Sequence, residues 1–123
     1  MLLDTHVLLW WASGDPRLGP RARRVLTSAA QRPVLSAISV WEISIKEALG
    51  RLRVLDHLEE LTAGLDGLPF RSEHARATGT LPPLHRDPFD RALVASAQVE
   101  GLRLVTADPS VLAYDVDTLD ARR

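Results

Sequence analysis

Asp4, Glu42, Asp90 and Asp108 are the residues of this chain whose type and placement point to chemistry. Each stands where an apolar, strand-like run ends or where a helix begins. In an alternating α/β fold such joints gather at one edge of the sheet, outside the carboxyl ends of the strands. Four carboxylates meeting there without four balancing bases repel one another, and their pKa values rise until a metal neutralises them. Hard oxygen donors of this kind suit Mg²⁺ or Mn²⁺. Two such ions about 3.5–4 Å apart can bridge a phosphate, one side activating water and the other stabilising the leaving oxygen.

Each acid also has a structural reading. Asp4 follows a buried run and precedes a helix, so N-cap duty explains it as well as metal binding does. Ser39-Val40-Trp41-Glu42 has the form of a capping box, and Lys46 stands four residues beyond Glu42, at helical ion-pair spacing. In Asp87-Pro88-Phe89-Asp90 the capping grammar favours Asp87 at N-cap and Pro88 at N1. Asp90 is then left in the first turn to face the sheet edge. Leu104-Val105-Thr106-Ala107-Asp108 ends a strand ahead of Pro109. Asp108 either caps the next helix or completes the acid cluster, and the Thr106 hydroxyl is placed to orient a ligand or water. Only a fold that brings all four acids together makes the chemical reading the stronger one.

Other site chemistries lack their residues. There is no cysteine, which excludes a disulfide scaffold, a thiol nucleophile and a Cys-based zinc site. Gly14–Gly19 is followed by Pro20-Arg21, not by the Lys-Ser/Thr of a P-loop, and no GxGxxG, HExxH or GxSxG occurs. His6, His57, His74 and His85 show no metal-ligand spacing. His85 lies nearest the proposed site; it is expected as an exposed loop histidine, with an RNA phosphate contact as the alternative. A haloacid-dehalogenase-like phosphatase would want an acid two residues after Asp4, where His6 stands.

The elements that must position these residues alternate. Met1–Leu3 reads as a buried strand, His6–Ser13 as a helix stopped at Gly14, and Ala22, Val25, Leu26, Ala29 and Ala30 as one helix face. Val34–Ala37 is a second strand. Ser39–Leu49 is a helix with Trp41, Ile45, Ala48 and Leu49 inward, closed by Gly50. Asp56–Leu65 is a helix with Leu58, Leu61 and Leu65 inward. Leu68–Phe70 is a short strand, and Ser72–Thr80 and Pro88–Glu100 are helices, the latter ended by Gly101. Leu102–Thr106 is a strand, Pro109 opens a short helix, and Val116–Leu119 is an edge strand. This order predicts a mostly parallel sheet with helices on both faces. Trp41 is expected in the core and one of Trp10 and Trp11 at the surface.

A chain of 123 residues suggests one domain, 1–123, able to bury a core without staples. No stretch approaches the ~18 apolar residues of a spanning helix, and the apolar start lacks a basic n-region and is broken by Asp4. A soluble, unexported, cytoplasmic protein with no membrane contact is expected. The net charge of −1 hides an uneven distribution: seven arginines and Lys46 against Glu42 and Glu47 put residues 17–53 at +6. A basic flank beside an acidic metal cluster suits a polyanion, although a solvated helix face explains the charges too.

Four segments in order, Leu2-Leu3-Asp4-Thr5-His6-Val7-Leu8-Leu9-Trp10, Ser39-Val40-Trp41-Glu42-Ile43-Ser44-Ile45-Lys46, His85-Arg86-Asp87-Pro88-Phe89-Asp90-Arg91 and Leu104-Val105-Thr106-Ala107-Asp108, resemble the PIN-domain ribonucleases, and among them the VapC toxins of type II toxin–antitoxin pairs. The likeness runs over essentially the whole chain. It implies a three-layer α/β/α sandwich with a central, mostly parallel sheet. It implies a Mg²⁺- or Mn²⁺-dependent endoribonuclease that hydrolyses RNA phosphodiester bonds by a two-metal mechanism. By position, Asp4, Glu42, Asp90 and Asp108 are the metal-binding acids and Thr106 the small hydroxyl residue beside them. It further implies a homodimer and a small VapB-like antitoxin partner covering the site. Arg86 and Arg91, with the Arg17–Arg24 stretch, are candidate contacts to the RNA backbone on charge alone. The rival expectations are a non-catalytic RNA-binding or dimerisation module and another metal-dependent phosphate hydrolase.

Overall fold

The computed structural model describes residues 1–50 and 55–123. The expectations for Arg51 and Arg53 of the basic flank, and for the side chains of His57 and Leu61, lie outside the described residues. Strands too short to stand alone alternate with helices in the order β1 (Leu2–Leu3), α1 (Thr5–Ser13), α2 (Pro20–Thr27), β2 (Val34–Ser36), α3 (Ala37–Ala48), α4 (Leu55–Thr62), β3 (Asp66–Leu68), α5 (Ser72–Thr78), α6 (Pro88–Glu100), β4 (Leu104–Thr106), α7 (Pro109–Leu112) and β5 (Thr118–Asp120). They form one sheet in the order β3-β2-β1-β4-β5, with every pairing parallel.

Period-two alternation divides the core into two halves. Leu3, Val105 and Leu119 face one side, where Val7 and Leu8 of α1, Ala22 and Leu26 of α2, and Ile43 of α3 cover them. Leu2 and Leu104 face the other side, under Leu93, Val94 and Ala97 of α6, with Val111 and Tyr114. The register pairs Leu2 with both Val34 and Leu104, and Val105 with Leu3 and Leu119. A slip of one residue would exchange the faces and expose side chains each worth roughly 1.5–3 kcal/mol when buried. Among the described residues no helix is long and apolar enough to cross a membrane.

Helix α6 has the bounds its sequence predicts. Asp87 accepts the Phe89 N–H at 2.8 Å, Pro88 opens the helix, and Gly101 closes it at φ 64°. Its buried run Ala92–Ala97 is mostly small, which lets the helix lie close to the sheet. Gly19 serves a different need. Its N–H and that of Arg21 donate to the carbonyls of Ala121 and Arg123, at 2.8 and 2.7 Å. Residues 121–123 are thereby strapped along the start of α2, and a Cβ on Gly19 would overlap the backbone of Arg122 and Arg123.

The structure corrects three expectations. The third strand is Asp66–Leu68, not Leu68–Phe70, because Pro69 has no N–H to continue the ladder. Helix α3 starts earlier, with the Ser36 hydroxyl accepting the Ile38 N–H at 3.0 Å, so Ser39 is inside the helix and forms no capping box with Glu42. Its inward face is Ile38, Ser39, Glu42 and Ile43. Trp41 is 58% exposed and lies edge-on to Phe89 with ring centroids 5.0 Å apart, while Ala48 and Leu49 are also exposed. Trp10 and Trp11 are both half-buried, and Arg17 lies over the Trp10 ring at 4.8 Å.

Candidate active site

The chain leaves β1 for β2 and β3 on one side, then returns to β4 on the other side of β1. Such a reversal opens a crevice at the carboxyl ends of the two central strands. Asp4 is the first residue after β1, Thr106 is the last of β4, and Asp108 follows two residues on. Glu42 comes from α3 and Asp90 from the first turn of α6, near enough to Asp4 for the charges to be felt. Asp4, Glu42 and Asp90 are 3, 3 and 8% exposed; Asp108 is half-buried.

Hydrogen bonds link the four joints. Asp4 Oδ1 accepts the His6 N–H at 3.0 Å, so Asp4 does cap α1. Its Oδ2 accepts the Thr106 hydroxyl at 2.7 Å. The same hydroxyl accepts the Asp108 N–H at 3.1 Å, tying the end of β1 to the start of α7. Asp108 Oδ1 caps α7 through the Ser110 N–H at 2.8 Å, and its Oδ2 lies 2.8 Å from His85 Nε2. That nitrogen is also 3.1 Å from Asp90 Oδ2. Glu42 Oε2 accepts from Lys46 Nζ at 2.8 Å, the helical pair that spacing predicts. Glu42 Oε1 is buried with no partner among the described residues. Beneath the acids the Thr5 hydroxyl donates to Ser39 Oγ at 3.0 Å, joining α1 to α3.

The carboxylates sense one another. Burial, then the charges of Asp4 and Asp87, push the Asp90 carboxyl up to about 7, with Glu42 adding to the rise and His85 opposing it. Burial also raises Asp4, against the hydrogen bonds from Thr106 and the His6 N–H; the Glu42 charge adds to the rise. Burial would raise Asp108 too, but the bonds from His85 and the Ser110 N–H bring it below its ordinary value. For His85, burial disfavours protonation and the carboxylates of Asp108, Asp90 and Asp87 more than restore it.

Three buried acids and an orphaned carboxylate oxygen are costly without a cation. The donor set is hard oxygen throughout, which fits a divalent ion of the Mg²⁺ or Mn²⁺ type. A cleft of about 230 Å³ opens beside Asp4 and Asp108, lined also by His6, Trp10 and Arg122; Glu42 and Asp90 lie outside its lining. A larger hollow of about 450 Å³, between Trp41, Phe70 and Phe89, is apolar and holds none of the four acids.

Two residues behave differently from expectation. His85 is no exposed loop histidine, since its ring lies half-buried between two of the acids. Arg91 is engaged inside the protein: its guanidinium donates to the carbonyls of Thr78, Leu81 and Pro82 and to the Tyr114 hydroxyl, at 2.9–3.3 Å. Arg86 is exposed. A second group, Glu73, His74 and Glu100, also gathers possible ligand atoms. Both ring nitrogens of the buried His74 are taken, Nδ1 by the Arg71 N–H at 2.9 Å and Nε2 by Glu100 at 2.7 Å, so this group joins α5 to α6.

Known proteins place this geometry in a family. The PIN domain matches residues 1–117. Ribonuclease VapC22 of Mycobacterium tuberculosis is 31% identical, over 88% of this chain and 86% of its own length. The fold is similar to that in the DNA-bound VapBC2 structure from Rickettsia felis, with a TM-score of 0.75 and 15% identity over 97% of this chain and 96% of that one. The DNA-bound VapBC structure from Salmonella typhimurium gives a TM-score of 0.72 and 21% identity over 97 and 96%. With a parallel sheet, a crevice at β1 and β4 and acids from four elements around it, the chain belongs to the PIN-domain family, among proteins of the VapC type.

Proposed function

We propose that this protein is a metal-dependent endoribonuclease, the toxin of a VapBC-type pair, and that Asp4, Glu42, Asp90 and Asp108 are its metal-binding, catalytic acids. The observation that carries the reading is the buried Glu42 Oε1, unpartnered among the described residues, on a carboxylate whose charge is felt by the buried Asp4 and Asp90. A capping role explains Asp4 and Asp108 but leaves Glu42 and Asp90 unexplained.

Mg²⁺ or Mn²⁺ would be held by Asp4, Glu42 and Asp90, with Asp108 completing the set. Four carboxylates carry the charge of two divalent ions, which supports the two-metal form of the proposal. When bound, such an ion supplies Lewis acidity to the phosphate oxygens and lowers the pKa of an attacking water. The protein's own groups fix the acids. Thr106 is an auxiliary residue that orients Asp4 with its proton and Asp108 with its lone pair. Lys46 neutralises one oxygen of Glu42 and leaves the other without a partner among the described residues. Products with a 5′-phosphate and a 3′-hydroxyl are expected.

RNA is the proposed substrate, its backbone held by exposed cations. Arg86 and Arg122 suit that task; Arg91 does not, because the donors of both its terminal nitrogens are engaged inside the protein. A VapB-like antitoxin, a second copy of the chain and a cytoplasmic setting complete the proposal. The relative named as a ribonuclease and the VapBC complexes of similar fold support it.

The test is cleavage of total cellular RNA by the purified protein with Mg²⁺ or Mn²⁺, beside Asp4→Asn, Asp90→Asn and an EDTA control. Discrete metal-dependent cuts lost in both variants are expected. A folded, antitoxin-free protein that neither cuts RNA nor binds metal would overturn the proposal.

A further inference from the structure

His85 is fixed on three sides. The Asp87 N–H donates to its Nδ1 at 3.0 Å. Its own N–H donates to the Tyr114 hydroxyl at 2.9 Å, and Arg91 holds that hydroxyl at 3.2 Å. Its Nε2 lies between Asp108 Oδ2 at 2.8 Å and Asp90 Oδ2 at 3.1 Å.

Those contacts decide what the ring can do. A histidine binds metal through an unprotonated nitrogen. The Nδ1 lone pair is occupied by the Asp87 N–H, so the proton of the neutral ring sits on Nε2. A proton there is donated to Asp108 Oδ2 with the Asp90 carboxylate close beside it, and a nitrogen that carries it is no ligand. The two acids come from different elements, Asp90 from the first turn of α6 and Asp108 from the cap of α7. The Asp108 oxygen that accepts from Nε2 keeps a second lone pair for another partner, and both lone pairs of Asp90 Oδ2 stay open. The spacing His85-Arg86-Asp87-Pro88-Phe89-Asp90-Arg91 then has one explanation. Asp87 caps α6 while its N–H sets the ring's tautomer, Asp90 lies beside the protonated ring nitrogen, and Arg91 anchors the tyrosine that anchors His85.

We infer that His85 is a positioning residue that holds Asp90 and Asp108 in the arrangement in which they take a divalent cation, without being a ligand itself. The inference rests on the metal-site reading above. Histidines and carboxylates bound to metals typically owe their orientation to such outer partners, whose loss costs about ten- to a hundredfold in metal affinity.

The experiment is a direct Mn²⁺ titration of the full chain, free of antitoxin, as wild type, His85→Ala and His85→Gln. Mn²⁺ binding weakened about ten- to a hundredfold in His85→Ala is expected, with most of it regained in His85→Gln, whose amide N–H reaches about as far as Nε2. Tyr114→Phe, which frees the main chain of His85, should weaken binding in the same direction and by less. It also keeps the test open should His85→Ala fail to fold. In the wild type, the ¹⁵N resonances of His85 should report a proton on Nε2 both without metal and with Mg²⁺. Mn²⁺ binding by His85→Ala as tight as wild type, or tighter, would overturn the inference, as would loss of the Nε2 proton on adding Mg²⁺. A wild-type chain that binds no Mn²⁺ overturns the metal site itself, a different outcome from a wild type that binds and a variant that binds equally well.

Discussion

The metal-free protein should become less stable as pH rises through neutrality, and Asp90→Asn should abolish much of that loss. Asp90 ionises in the folded protein only near 7, because burial and the charges of Asp4 and Asp87 disfavour its anion. In the unfolded chain it ionises near the ordinary aspartate value of about 3.9. Between those limits the folded state holds a proton that the unfolded state has released. The Asp90 contribution to stability is therefore most favourable below the lower limit and is lost as pH climbs through 7. A gap of about three pH units corresponds to roughly 4 kcal/mol, and water at the open rim of the crevice reduces this to about 2 kcal/mol. Asparagine has nearly the same shape and no charge. In EDTA at pH 8 the variant should melt on the order of 5–10 °C above wild type, by the size of stability effects in a domain this large. At pH 5 the two should melt within a few degrees of each other. Saturating Mn²⁺ at pH 8 should reverse the order by binding the folded wild type preferentially. A pH-independent gap between the two proteins, or a variant less stable at pH 8 in EDTA, would refute the reasoning that Asp90 is held protonated by its neighbours.

Thr106→Val keeps the shape of the side chain but deprives Asp4 Oδ2 and the Asp108 N–H of their partner; denaturant unfolding should show a loss of about 1–3 kcal/mol, and Mn²⁺ binding should weaken. Gly19→Ala drives a methyl into the backbone of Arg122 and Arg123, so a loss of about 1–3 kcal/mol is expected in the same assay, with the Arg21 N–H losing hydrogen-exchange protection. Arg91→Lys cannot serve the four acceptors of the guanidinium and should lower the melting temperature, whereas Arg86→Ala should leave it within a degree or two and weaken binding of a short RNA, measured by fluorescence anisotropy.

The elements were legible where local grammar is strong. Asp87, Pro88 and Gly101 mark both ends of α6, and the apolar runs at Leu2–Leu3 and Leu104–Thr106 are the central strands. Helix α3 misled because its inward face carries Ser39 and Glu42, which a hydrophobicity pattern assigns to solvent, while Trp41 and Leu49 lie outside. Residues at a functional site depart from the patterning rules that hold elsewhere. The four acids could be nominated from their positions at the joints, but their proximity is a property of the strand order. His85 was hidden for a related reason. Its partner Asp108 is 23 residues away, and no spacing within a segment reports a contact made across the sheet edge.

The bond between Thr106 and Asp4 spans 102 residues, nearly the full length of the chain. A ribosome emits those two residues seconds apart, at about 5–20 residues per second. Through that interval Asp4 has no β4 beside it and the crevice does not exist. A nascent or prematurely terminated chain lacking β4 therefore cannot assemble the crevice, and the proposed activity waits until β4 and Asp108 have joined the fold.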